Sequence, residues 1–86
     1  AGDFDEALYY CSQGLNLNSH NPHFWNLNGV IFFNQSEYEM AAESFERAVS
    51  LNPYYSDALF NLRDCYEELG NKAGAQICQE KLNSLH

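Results

Sequence analysis

A shift of 34 residues lays this chain on itself. Ala7, Ala41 and Ala75 coincide, as do Leu17, Leu51 and Leu85. The same shift sets Phe4 on Tyr38, Asn18 on Asn52, Trp25 on Leu59 and Phe32 on Tyr66. A helix-pair period of this length marks a stacked solenoid and outranks any local clue to the fold. The chain therefore reads as all-α.

The period is built on the stretch from Trp25 to Pro53, which predicts two short antiparallel helices, 22–35 and 37–51. In the first, Trp25, Gly29 and Phe32 share one helical stripe; in the second, Ala41, Phe45 and Ala48 do. Gly29 and the alanines let the axes approach, and the three rings fill the space between. Ser36 followed by Glu39 predicts a capping box at the start of the second helix, and Pro53 lies just past its end.

These residues resemble the tetratricopeptide repeat (TPR) family, whose pattern is Trp-x2-Leu-Gly-x2-Tyr, then Ala-x3-Phe, then Pro. Here the pattern is carried by Trp25, Asn28, Gly29 and Phe32, then Ala41 and Phe45, then Pro53. Asn28 replaces the family's leucine and puts an amide that needs a partner into the heart of the hairpin. The next copy keeps Leu62, Tyr66 and Ala75, with Leu59 at the place of Trp25, but has Arg63 for the small residue and Gln79 for the ring. The resemblance implies a TPR-type αα-solenoid of about two and a half repeats. Its divisions are the second helix of a truncated repeat over 1–18, a full repeat over 22–55, and a more divergent repeat over 56–86.

Taken in order, the first of the five expected helices is capped by Asp3 with Glu6, and its apolar face is Phe4, Ala7, Leu8, Cys11 and Leu15. The face of Ala7 and Cys11 awaits a helix that this sequence does not supply, so the chain is expected to belong to a longer array or to associate with a second copy. Pro22 opens the next helix without losing an internal hydrogen bond. That helix is apolar nearly all round, through Phe24, Trp25, Leu27, Val30, Ile31, Phe32 and Phe33, so it is buried on several sides or shows one to a partner. Glu37, Glu39, Glu43 and Glu46 read as a solvated face. Ser56 is the expected cap of a helix over 57–69 whose stripe is Leu59, Leu62, Tyr66 and Leu69, ended by Gly70. Asn71 starts the last helix, with Ala75, Ile77, Cys78, Leu82 and Leu85, in which Gly74 costs roughly 1 kcal/mol relative to alanine.

Composition excludes several functions. Twelve acidic and only four basic side chains give a net charge of −8, which removes the basic footprint that nucleic acid or an anionic membrane surface requires. A basic peptide or protein surface remains compatible. An apolar content of 45% argues for a packed interior. No apolar run approaches a membrane span. Cys11, Cys65 and Cys78 are unpaired in spacing, and the last two lie beside leucine or isoleucine, so they read as buried reduced thiols in a reducing, cytoplasmic setting.

Candidates for chemistry are few. His20 and His23 have metal-ligand spacing, but Pro22 starts a helix between them and no third ligand is placed, so solvated turn histidines are the better reading. Glu67 and Glu68 are adjacent and do not share a face. No cysteine has a histidine at a motif spacing, and no phosphate-binding glycine loop is present. No enzyme, metal or cofactor is expected.

A binding surface is what the resemblance implies. In TPR arrays the first helices of successive hairpins line a concave groove that takes extended or helical peptides. The stripe expected to face it holds His23, Asn26, Leu27, Val30, Phe33 and Asn34, then Asp57, Phe60, Asn61, Asp64, Glu67 and Glu68. Leu27, Val30, Phe33 and Phe60 would be anchors rimmed by four carboxylates, suited to a ligand with hydrophobic anchors and Lys or Arg. The competing reading makes Leu27, Val30 and Phe33 core and the carboxylates mere solubilisers. Asn61 is expected to hydrogen-bond a ligand backbone. The lysine and arginine clamp with which some family members hold acidic tails is missing. The other function class is a structural segment that self-associates through uncovered terminal helices and has no ligand of its own.

Overall fold

The computed structural model describes residues 20–85, and among these the chain forms four α-helices and no strand. They are α1 Pro22–Asn34, α2 Tyr38–Leu51, α3 Ser56–Glu68 and α4 Lys72–Ser84. Each helix packs on the next, α1 on α2, α2 on α3 and α3 on α4, and α1 also touches α3. That order is an all-α, TPR-type solenoid of antiparallel pairs. The expected first helix, with Phe4, Ala7 and Cys11, lies outside the described residues.

Small residues set the spacing. A Cβ on Gly29 would stand 2.5 Å from Phe45 Cε1, so the phenyl ring occupies the space a side chain would need. Ala41, Ala42 and Ala48 are buried with Phe45 between the helices, and Leu62, Cys65 and Cys78 continue this core across the second pair. Gly74 has the same role with the partners reversed. A Cβ there would lie 2.8 Å from the ring of Tyr66 on α3, so a position read as a weak point is where the second pair closes.

The helix ends correct two expectations. Ser36 does not cap α2; Glu37 is its N-cap residue and no side chain supplies the capping bond. Ser36 instead has φ of +62° and terminates α1. Its N–H donates to Phe33 O at 2.9 Å and that of Glu37 to Phe32 O at 2.9 Å, a Schellman pair. One period on, Gly70 has φ of +76°, with Gly70 N–H on Glu67 O and Asn71 N–H on Tyr66 O. The second turn uses glycine where the first strains a serine. Ser36→Gly should therefore raise the unfolding free energy by about 1 kcal/mol in urea denaturation. Ser56 is likewise not a cap but the first residue of α3, after Tyr55. Asn21 and Asn71 do cap α1 and α4, accepting from His23 N–H and Gly74 N–H at 2.9 Å.

Cys65 and Cys78 are buried. Burial first, and then the nearby Asp64 and Glu68 carboxylates, pushes the Cys65 thiol up to about 12, and burial raises Cys78 as well. Both stay protonated at neutral pH, which removes them as nucleophiles. Leu69 and Ile77, expected on apolar stripes, are exposed. Among the described residues no helix is long and apolar enough to cross a membrane.

Candidate functional site

The touching faces of α1 and α3 carry the stripe expected to line the groove. Its centre is a pair of amides: Asn61 Nδ2 donates to Asn26 Oδ1 at 3.1 Å. Asn26 is buried, so it joins the two helix pairs rather than standing open on the groove as expected. Beside it a cavity of about 180 Å³ is lined by Val30, Phe33, Asn34, Phe45, Asn61 and Asp64.

The four apolar anchors divide. Val30 and Phe33 are half-buried against the core, and Phe33 meets the Tyr38 ring edge-on at 5.1 Å. Leu27 and Phe60 remain open, at 38% and 50% exposure. Burial of the first two follows from helix geometry, because α1 packs on α2 and α3 at once and only a narrow strip escapes both. His23 stays exposed, with Nδ1 sharing a 3.3 Å hydrogen bond with the Tyr55 hydroxyl. His20, Asn34 and Asp57 are exposed too.

The carboxylate rim holds a cation that the sequence stripe did not include. Arg63 lies 4.0 Å over the Phe60 ring, forms an ion pair with Asp64 at 3.3 Å, and stands 3.9 Å from Glu67. It also donates to Gln79 Oε1 at 2.6 Å. Two of the four rim charges are thus partly compensated from within, while Asp57 and Glu68 form no ion pair among the described residues. The signal was present in the sequence: Phe60 and Glu67 stand three before and four after Arg63, on one helix face.

The opposite side of the first pair holds a larger cavity of about 710 Å³, bordered by Trp25, Asn28, Phe32, Met40, Ser44 and Arg47. Arg47 sits 5.2 Å over the Trp25 ring. Asn28 Nδ2 donates to Ser44 Oγ at 3.4 Å, but Asn28 Oδ1 is buried without a partner among the described residues. The matching cleft of the next pair, about 400 Å³, has Leu62 and Cys78 at the two corresponding positions. Among the described residues no cluster of His, Cys, Asp and Glu could hold a metal ion.

Residues 22–55 match the tetratricopeptide repeat family model. Two curated relatives are similar in sequence. The uncharacterized protein ycf37 of Pyropia yezoensis is 32% identical over 62 residues, 72% of this chain and 35% of its own length. The uncharacterized protein MJ0572 of Methanocaldococcus jannaschii is 36% identical over 55 residues, 64% of each. The chain thus spans about a third and just under two thirds of these relatives. Among solved structures, MamA superposes with a TM-score of 0.90 at 24% identity, over 95% of this chain and 48% of that one. The second TPR of Spaghetti (RPAP3), bound to the HSP90 peptide SRMEEVD, superposes at 0.88 and 20% identity, over 95% of this chain and 71% of its own. At these identities the likeness establishes the fold.

Proposed function

We propose that this chain, whose residues 22–55 are a tetratricopeptide repeat, is an adaptor or scaffold segment that takes a partner's peptide on the α1–α3 face. The observation that carries the reading is the open pair Leu27 and Phe60 flanking the Asn26–Asn61 bridge, with the charges of Asp57 and Glu68 alongside. Apolar anchors beside unpaired carboxylates suit a ligand that brings a hydrophobic side chain with Lys or Arg near it. The RPAP3 neighbour was solved with a peptide ending Glu-Glu-Val-Asp. This face has the wrong sign for such a ligand. Binding without catalysis, in a cytoplasmic setting that keeps thiols reduced, accords with the buried, protonated Cys65 and Cys78.

Fluorescence anisotropy with labelled peptides tests this. An apolar peptide carrying Lys or Arg should bind, weaken steeply with added salt, and lose roughly 30-fold in affinity with Phe60→Ala, about 2 kcal/mol for a central aromatic anchor. Preference for acidic peptides, or binding indifferent to salt, would overturn the reading.

A second reading, a structural segment of a longer array, draws support from the exposed apolar residues Phe24, Leu69 and Ile77 outside the groove. It makes 1–18 and 56–86 incomplete and divergent repeats flanking the full one. Sedimentation of the chain separates the two. Self-association broken by a charge at Phe4 or Cys11, and indifferent to Phe60, favours the structural segment.

A further inference from the structure

The outer face of the α3–α4 pair is where the 34-residue geometry would seat another pair. The first pair shows what such a seat requires. Gly29, Val30 and Phe33 on α1, with Ala42 and Phe45 on α2, lie beside or within the core that α3 completes, and none is charged. One period on, the same five positions hold Arg63, Asp64, Glu67, Gln76 and Gln79. The glycine and phenyl ring that fit together in the first pair are replaced together: Arg63 reaches Gln79 at 2.6 Å, and the cavity beside them, about 400 Å³, is walled by the polar side chains of Arg63, Glu67, Gln76 and Gln79 instead of by a ring.

We infer that the α3–α4 pair closes the stack at this end, and that no apolar helix pair, from this chain or from another copy, seats on its outer face. Covering the face would strip water from the charges of Arg63, Asp64 and Glu67, now 20%, 40% and 60% exposed as side chains, and their mutual attraction would not repay that loss. Arg63 Nε is already buried without a hydrogen-bond partner among the described residues, so the guanidinium depends on its bonds to Gln79 and Asp64 and on the solvent that still reaches its exposed part. A polar outer face is what keeps the end of a repeat stack soluble. The inference rests on the stacking geometry, not on peptide binding, and it rules out head-to-tail growth, which would need this face, leaving association of copies to the α1 side.

The test appends a copy of residues 22–55 to the full chain, in register through a copy of residues 53–55. Thermal unfolding and amide exchange are then followed. On the native face the appended copy should stay unfolded, with the melting temperature of the chain and the exchange of α4 amides unchanged. With R63G, D64V, E67F, Q76A and Q79F, which install the first pair's residues, the copy should fold, raise the melting temperature and slow exchange in α4. A raised melting temperature or slowed α4 exchange on the native face overturns the inference. So does failure of the substituted face to seat the copy while that chain itself remains helical by circular dichroism.

Discussion

Phe45→Ala should lower the unfolding free energy by about 3–5 kcal/mol, read from the urea midpoint at unchanged slope. Phe45 is 1% exposed and its ring fills the space that Gly29 leaves empty, so truncation opens a cavity between α1 and α2 that neither backbone can close. A small domain has a margin of only about 5–15 kcal/mol, so the variant should be partly unfolded in modest denaturant. The partner substitution makes the cause specific. Gly29→Ala alone should destabilise by about 1–2 kcal/mol, because the added methyl meets the ring at a separation real side chains do not adopt and this outweighs the better helix propensity of alanine. In the Phe45→Ala background the same change should stabilise, since the obstruction is gone and the propensity gain of about 1 kcal/mol remains. Equal effects in both backgrounds would remove the glycine–ring fit as the determinant of helix spacing.

The second large effect has the opposite sign. The double substitution Asn28→Leu with Ser44→Cys should raise stability by about 1–3 kcal/mol, or several degrees in melting temperature for a domain of this size. Asn28 is 7% exposed, its hydrogen bond to Ser44 is long at 3.4 Å, and its buried Oδ1 has no donor among the described residues. Each such orphan carries its full desolvation cost. The second pair already holds the proposed solution, Leu62 with Cys78, at the same positions and buried. Asn28→Leu alone should gain less, because it leaves Ser44 Oγ without the amide donor. A loss of stability in the double variant would mean that the amide serves a contact the chain requires.

The stacked helix pairs were legible in the sequence because they depend on a repeated pattern of size. Gly29 opposite Phe45, and Ala41 and Ala48 at helical spacing, state the separation of the axes without reference to anything distant. Helix ends were less legible. Ser36 with Glu39 satisfies the capping-box pattern as written, and only the left-handed backbone at Ser36 shows that it ends α1 instead. Gly70, one period later, carried the same information in plain form. The candidate site was half legible. Periodicity named the stripe through Leu27 and Phe60, but it does not say how far two neighbouring helices cover one side of α1. Val30, Phe33 and Asn26 therefore turned inward while Leu27 stayed open. Arg63 and Gln79 read as two separate departures from the pattern. Their meaning depends on the distance between them, which no single helix sets.

The stacking of successive helix pairs is tested most directly by one nuclear Overhauser spectrum of the folded chain. Cross-peaks should join the Phe45 ring to the α protons of Gly29 within a pair, and the Asn61 side-chain amide to Asn26 between pairs. The first without the second would mean hairpins that form but do not stack, and the shared face on which the binding proposal stands would not exist.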